Sequence, residues 1–158
     1  MSILITGATG YLGTKLTQLL ADRGESVRVL IRTDSKISAF ERSEISFVKG
    51  DILDKESLKK AMNGVSRVYH MAAYARLWAR DPLMYQHINV EGTKNVLDAA
   101  LNAGILKMVH TSTAGVVGPS GQQPMNEVLP RIADFFNSYE KTKWEAENLS
   151  VDYARKGL

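Results

Sequence analysis

The residues best suited to chemistry are a tyrosine and a lysine four positions apart, in Tyr139-Glu140-Lys141-Thr142-Lys143. Residues i and i+4 share one face of a helix. A free tyrosine has a pKa of about 10, and a neighbouring ammonium group stabilises the phenolate and lowers that pKa. The spacing therefore predicts an acid/base pair that exchanges a proton with a substrate oxygen, as the reduction of a carbonyl requires.

The position of the Tyr139 motif separates it from a second match. Tyr11 and Lys15 have the same spacing, but they lie in a glycine-rich turn and the helix after it, so we interpret that match as coincidental. Tyr139 instead lies on the helix after the fifth predicted strand, which ends at Thr111 and is followed closely by Thr113. The Thr113 hydroxyl can donate to a substrate carbonyl beside Tyr139. The alternative is that these strand-end threonines only cap a turn.

Three glycines follow the first predicted strand and open the first helix, in Gly7-Ala8-Thr9-Gly10-Tyr11-Leu12-Gly13. The first glycine allows a tight turn, the second lets the backbone approach a pyrophosphate, and the third lets the helix pack on the sheet. The helix N-terminus offers N–H groups to the phosphates. The segment therefore predicts a dinucleotide site. A glycine-rich turn without a ligand is the alternative. The predicted contacts are Gly7, Thr9, Gly10, Tyr11, Leu12 and Gly13.

The end of the second predicted strand selects between two dinucleotides. An acidic residue there binds the ribose of NAD, whereas this chain has Arg32, followed by Lys36. Both side chains can pair with a 2′-phosphate, so NADP(H) is the expected cofactor and NAD(H) is a possible one. Two alternatives are that Arg32 is a solvated charge and that Asp34 binds the ribose hydroxyls.

Asp51 and Ile52 follow the third predicted strand and would flank an adenine ring. The Asp51 carboxylate can accept from the exocyclic amine, and Ile52 can pack on the ring. A capping aspartate followed by a core residue is an equally good interpretation.

Strands and helices alternate along the chain. The predicted strands are residues 2–6, 26–31, 45–48, 67–71 and 107–111. The predicted helices are residues 11–23, 36–40, 54–62 with Asp54 as N-cap, 81–102 and 137–155, and a polar loop spans 115–130. This order predicts an α/β Rossmann fold, a doubly wound parallel sheet with strand order 3-2-1-4-5. We expect one dinucleotide-binding domain over residues 1–158, lacking the C-terminal strands of such a fold.

Composition narrows the class of protein. The 158 residues include no cysteine, 44% are hydrophobic and 23% are charged, as in globular domains. No apolar run approaches the roughly 20 residues of a membrane helix, and no signal peptide is evident, so we expect a cytoplasmic protein without a membrane partner. The net charge of +3 comes without a run of five like charges, so no nucleic-acid partner is expected. The sequence contains no cluster of histidines, so no metal site is expected.

Together these motifs resemble the extended short-chain dehydrogenase/reductase family, also described as NAD-dependent epimerases/dehydratases. Within it the chain is most similar to dihydroflavonol-4-reductase-like proteins. The segment from Arg76 to Pro82 also looks like bacterial hopanoid-associated sugar epimerases. The motifs that carry the resemblance are the glycine turn, Gly50-Asp51-Ile52, His70-Met71-Ala72-Ala73, Asn89-Val90-Glu91-Gly92-Thr93, Thr111-Ser112-Thr113, and Tyr139 with Lys143.

The resemblance implies roles for these residues. Thr113, Tyr139 and Lys143 would be catalytic, and Tyr139 and Lys143 would also contact the cofactor. Ala72, Ala73 and Thr111 would line the cofactor site, with Asn89 as a supporting residue. A small-molecule substrate would bind in a C-terminal lobe that is absent here. A homodimer through the long helix and the catalytic helix is a further possibility.

Three functions are compatible with these observations. The first is NADP(H)-dependent reduction of a carbonyl in a small organic substrate. The second is epimerisation or dehydration of a nucleotide sugar with bound NAD, against which Arg32 argues. The third is non-catalytic dinucleotide binding, against which the Tyr139–Lys143 pair argues. His110, at the end of the fifth strand, is interpreted as an ordinary strand residue.

Overall fold

A five-stranded parallel sheet forms the centre of the molecule. The computed structural model describes residues 2–33, 35, 40, 44–120 and 124–158. The strands lie in the order β3-β2-β1-β4-β5, which confirms the predicted order 3-2-1-4-5. They are β1 (Ser2–Thr6), β2 (Val27–Ile31), β3 (Ile45–Lys49), β4 (Val65–His70) and β5 (Lys107–His110).

Helices lie between the strands and after β5, the last strand in the sequence. They are α1 (Tyr11–Asp22), α2 (Lys55–Met62), α3 (Leu83–Tyr85), α4 (Gly92–Asn102) and α5 (Ser138–Arg155). The predicted helix 81–102 is helical from residue 83, but a π-helical turn, Gln86–Glu91, joins α3 to α4. The predicted helix 36–40 lies, apart from Phe40, outside the described residues. No helix in the described part of the chain has the length and apolar character needed to cross a membrane.

The core lies on both faces of the sheet. Consecutive residues of a strand point to opposite faces, so a central strand covered on both sides needs apolar residues throughout. In β1 the residues Ile3, Leu4 and Ile5 are all fully buried. Ile3 and Ile5 pack in a cluster that includes Leu20 of α1, whereas Leu4 packs in one that includes Leu58 of α2. The sheet is therefore packed on both faces, and because its strands are parallel, the loops after them share one edge.

From β1 the chain first builds the sheet in one direction, through β2 and β3, and then in the other, through β4 and β5. In open parallel sheets, ligands bind at such a switch point, beyond the carboxyl ends of the strands. The glycine turn follows β1, and the segment containing Ala72 and Ala73 follows β4. The fold therefore brings these two segments together.

Candidate functional site

Two of the three glycines are required by close packing of the backbone. Gly7 has a φ of +73°, and a Cβ on it would lie 2.5 Å from the backbone nitrogen of Ala72. A Cβ on Gly13 would lie 2.1 Å from the carbonyl oxygen of Gly7. Such distances exclude any side chain. The turn after β1 therefore packs directly against both the segment after β4 and the first turn of α1.

Gly10 has a different environment, which points to a ligand. A Cβ on Gly10 would meet only the carbonyl oxygen of Gly7, at 3.3 Å, and would otherwise project into open space. Gly10 is also the N-cap of α1; it has no side chain with which to cap the helix, and the first turn of α1 contains no acidic residue. The first N–H groups and the positive end of the helix dipole are therefore available to an anion.

A pocket of about 510 Å³ lies at this edge of the sheet. Its lining includes most of the residues predicted to hold the dinucleotide. These are Gly7, Thr9, Gly10, Arg32, Asp51, Ile52, Ala72 and Ala73. Gly13 packs beneath the turn, and Tyr11 and Leu12 are exposed beside it, with 82% and 58% of their surface accessible. Lys36 and Asp34 lie outside the described residues.

The structure separates the two interpretations of Asp51. Asp54 caps α2, as predicted, by accepting from the backbone nitrogens of Glu56 and Ser57. Asp51 does not cap that helix; its Oδ1 accepts from the backbone nitrogen of Leu53 at 2.9 Å. Asp51 is therefore a loop residue in the wall of the pocket.

Ile52 belongs both to the core and to the pocket. It is only 7% exposed and packs in the cluster beneath the sheet. A Cβ on Gly92 of α4 would lie 2.5 Å from its Cδ1. The core interpretation of Ile52 therefore holds, and the same side chain also lines the pocket.

Lys143 lies in a second group of residues, where the end of β5 meets α5. Its side chain is buried, and its Nζ donates to the carbonyl oxygen of Thr111 at 2.7 Å. The same Nζ lies 3.1 Å from Nε2 of His110, which sequence analysis did not connect with the site. Burial lowers the pKa of Lys143 to about 8, while Glu147 acts in the opposite direction. Lys143 can therefore gain or lose a proton close to neutral pH.

Thr113 both caps a turn and keeps a hydroxyl proton to donate. It precedes the 3-10 turn Ala114–Val116, and its Oγ1 accepts from the backbone nitrogen of Gly115 at 3.3 Å. A hydroxyl that accepts one hydrogen bond can still donate one. Ser112 and Thr113 are both half-buried, but the Oγ of Ser112 is enclosed and has no partner among the described residues.

Asn89 connects the pocket with α5. It is buried in the π-helical turn, and its Oδ1 accepts from the backbone nitrogen of Tyr74, a residue of the pocket wall, at 2.7 Å. Its Nδ2 donates to Oγ1 of Thr142, next to Lys143, at 3.0 Å. A π-helical turn is often found at a functional site. Here it presents Asn89 as a fixed link between the two groups of residues.

An ion pair that sequence analysis did not identify holds the Thr113 turn near Tyr139. Arg131 donates to the carbonyl oxygen of Gly115 at 2.5 Å and to Oε2 of Glu140 at 3.0 Å. The side chains of Arg131 and Glu140 are only 6% and 17% exposed. Asn137 and Glu140 form an Asn-x-x-Glu pattern that marks a helix start, but nothing local indicates Arg131 as the partner.

Replacing Glu140 with glutamine is expected to lower the free energy of unfolding by about 1 to 3 kcal/mol, because a buried charge on Arg131 loses its counter-ion. Urea denaturation measures the change. Lys141→Gln is the matched control, since its Nζ lies 4.0 Å from Glu145 in an exposed pair. That control should cost well under about 1 kcal/mol. Equal losses in the two variants would contradict the role given to Glu140.

Comparison with known proteins identifies the family. Residues 4–154 match the model of the 3-beta hydroxysteroid dehydrogenase/isomerase family. The chain belongs to this family. The match confirms the resemblance to the dehydrogenases, epimerases and dehydratases stated above.

Among the described residues, no three His, Asp or Glu side chains are grouped in a way that could hold a metal ion.

Relatives of known description agree with this assignment. The chain is 37% identical over its whole length to sterol demethylase protein B of Methylococcus capsulatus, covering 48% of that protein. It is 32% identical over 97% of its length to a putative dihydroflavonol 4-reductase of Synechocystis, covering 45% of it. The crystal structure of UDP-glucose 4-epimerase from Brucella ovis in complex with NAD superposes with a TM-score of 0.87 and 30% identity, over 98% of this chain and 48% of that one. The chain therefore spans about half the length of the relatives it matches.

Proposed function

We propose that the chain is the cofactor-binding half of an NAD(P)-dependent oxidoreductase that reduces a carbonyl, or oxidises the corresponding hydroxyl. The observation that carries the proposal is the link through Asn89, which holds the dinucleotide pocket against the helix of Tyr139 and Lys143. A nucleotide pocket alone would fit many proteins. A nucleotide pocket fixed next to a proton-transfer pair fits a reductase.

The pocket suits a dinucleotide. The free helix end and the open space at Gly10 fit a pyrophosphate. Ala72 and Ala73, after β4, line the pocket with small side chains that leave room for the cofactor. Arg32 is exposed and also lines the pocket. When bound, the nicotinamide supplies or accepts the hydride.

The residues of the chain handle the proton. In the reducing direction Tyr139 gives its phenolic proton to the substrate oxygen, and Thr113 donates a hydrogen bond to the same oxygen. With a pKa of about 8, Lys143 is largely an ammonium group at neutral pH. Lys143 therefore supplies a positive charge one helical turn after Tyr139 on α5.

The substrate in this proposal is an apolar molecule with a ring-bound ketone or hydroxyl. Exposed apolar side chains lie in the segment after β4, at Leu77, Trp78 and Leu83, and in the segment before α5, at Val128, Ile132 and Phe136. Such side chains favour an apolar ligand over a charged one. The family name and the sterol- and flavonoid-related names of the relatives agree with this class.

The alternative of a nucleotide-sugar epimerase or dehydratase has one observation in its favour, the similar epimerase structure that holds NAD. The absorption spectrum of the purified protein distinguishes the two, because retained NAD favours the epimerase. Following the nicotinamide absorbance with NADPH and a panel of apolar ring ketones tests the reductase directly. Oxidation of NADPH that depends on the ketone supports the proposal. No consumption with any ketone, together with retained NAD, contradicts it.

The homodimer through the α4 and α5 helices stays a prediction.

The cofactor preference makes a separate prediction. Arg32→Ser is expected to weaken NADPH binding about tenfold, equivalent to about 1.4 kcal/mol, and to leave NADH binding unchanged, because only NADPH carries the 2′-phosphate. Fluorescence titration measures both dissociation constants. Arg23→Ser is the control, since Arg23 is also exposed but does not line the pocket. Equal affinities of the parent protein for NADPH and NADH would refute the preference.

A further inference from the structure

The side chain of Lys143 is held by two acceptors at the end of β5, one on the last residue of the strand and one on the residue after it. Its Nζ donates to the carbonyl oxygen of Thr111 at 2.7 Å and lies 3.1 Å from Nε2 of His110. The lysine is only 2% exposed, so its ammonium group is largely withdrawn from bulk solvent. An ammonium group has three N–H bonds, and two of them are therefore taken up by the strand.

These contacts determine which nitrogen of His110 carries the proton. An ammonium group only donates, so Nε2 must accept and Nδ1 must hold the proton. Nδ1 lies 2.8 Å from Oγ of Ser150, which in turn donates to the carbonyl oxygen of Ala146 at 3.0 Å. Burial, and secondarily Lys143, lower the pKa of His110 to about 3, so the ring is neutral at working pH. Each contact from Lys143 through His110 and Ser150 to Ala146 thus pairs a donor with an acceptor.

We propose that His110 is the positioning residue of Lys143: its Nε2 lone pair holds the ammonium group at the end of β5, and Ser150 fixes the tautomer that presents this lone pair. The proposal rests on the proposed function, in which Lys143 acts beside Tyr139.

The neighbouring charges show what His110 contributes. His70 on β4 has its ring centre 5.3 Å from that of His110, and burial keeps its pKa well below the usual value. On α5, Glu147 raises the pKa of Lys143, and Tyr139 lies one turn before it. Both ring nitrogens of His70 are hydrogen-bonded, to the hydroxyls of Thr6 and Thr93, so Lys143 acts on His70 through its charge and not through a hydrogen bond. His110 therefore supplies an uncharged acceptor that favours the ammonium form against the effect of burial.

Two substitutions separate the two contacts of His110. In His110→Gln the amide oxygen can take the place of Nε2, so the acceptor for Lys143 is kept and the contact with Ser150 is lost. In His110→Asn the amide nitrogen can take the place of Nδ1, so the contact with Ser150 is kept and the acceptor for Lys143 is lost. The side chains are similar in polarity, and the pair is therefore matched.

The titration of Lys143 is the deciding measurement. It is followed by NMR of ¹³C-labelled lysine, with Lys143→Arg to assign the resonance. Removing an acceptor disfavours the ammonium, so in His110→Asn the midpoint should move down by about one pH unit, whereas in His110→Gln it should stay near that of the parent. Equal midpoints in the parent and both variants, or equal shifts in both variants, would overturn the proposal.

A measurement on the unaltered protein covers the case in which a variant fails to fold. The ¹⁵N chemical shifts of the His110 ring should show a protonated Nδ1 and a bare Nε2. A proton on Nε2 would overturn the proposal. Turnover is measured separately as a function of pH. A shifted Lys143 titration in a protein without turnover supports the positioning role and counts against the proposed function. An unshifted titration in an active His110→Asn variant overturns the positioning role alone.

Discussion

Alanine at position 13 is expected to lower the free energy of unfolding by about 2 to 4 kcal/mol, through a contact that cannot relax locally. A Cβ at this position lies 2.1 Å from the carbonyl oxygen of Gly7 and 2.8 Å from Cα of Ala8. Both atoms belong to the backbone, and Gly7 itself packs against the backbone of Ala72. Relieving the contact therefore requires α1 to move away from the sheet. Urea denaturation measures the loss.

Gly10→Ala is the matched control, with the opposite pattern. Its Cβ meets only the carbonyl oxygen of Gly7, at 3.3 Å, so stability should change by less than about 1 kcal/mol. The new methyl group enters the pocket in front of the α1 N-terminus, so dinucleotide affinity should fall about tenfold or more, as measured by fluorescence titration. The interpretation of the two glycines is wrong if both variants lose stability equally, or if Gly10→Ala binds as tightly as the parent.

Local patterns in the sequence predict the sheet and the glycine turn well, for a physical reason. The alternation of apolar strands with amphipathic helices allows few topologies, and right-handed crossovers reduce them further. Gly7, Gly10 and Gly13 lie within seven residues, from the turn after β1 to the start of α1, so their spacing indicates how they pack. The N-cap at Asp54 is confirmed for the same reason, because a cap and its helix are neighbours in sequence.

Contacts between distant segments could not be predicted in this way. Arg131 and Glu140 are nine residues apart across a loop, and Asn89 and Thr142 are 53 residues apart. Two histidines in separate strands become neighbours only because His70 pairs with His110 in the register of β4 and β5. In the sequence, His110 therefore looks like an ordinary strand residue. The alternation of an extended chain indicates only that the side chains of His110 and Thr111 point to opposite faces.

The π-helical turn shows a different limit of the sequence. The pattern of residues 81–102 is helical throughout, and it contains no proline or glycine at Gln86–Glu91 that would indicate a change of pitch. The wider turn carries Asn89, which contacts both Tyr74 and Thr142. Because the gain lies in contacts with two other segments, a helical pattern cannot reveal it.

Tyr139→Phe is expected to reduce turnover by about a hundredfold to ten-thousandfold, the usual contribution of a positioned acid or base. The substitution removes one oxygen. Within the described residues the Tyr139 hydroxyl makes no hydrogen bond, so the fold should be unaffected, and dinucleotide affinity should stay near that of the parent. The rate of nicotinamide oxidation with a ring ketone, and a separate cofactor titration, measure the two effects.

Tyr11→Phe is the control for Tyr139→Phe, because Tyr11 and Lys15 share the Tyr-x-x-x-Lys spacing. Tyr11 is 82% exposed at the start of α1, and phenylalanine keeps the backbone and ring that are predicted to contact the cofactor, so turnover at saturating cofactor should be unchanged. The contrast tests position against sequence pattern, since both tyrosines fit the motif and only one lies where β5 and α5 meet. Turnover retained in Tyr139→Phe would refute the acid/base role, and a comparable loss in Tyr11→Phe would refute the use of position to choose between the two.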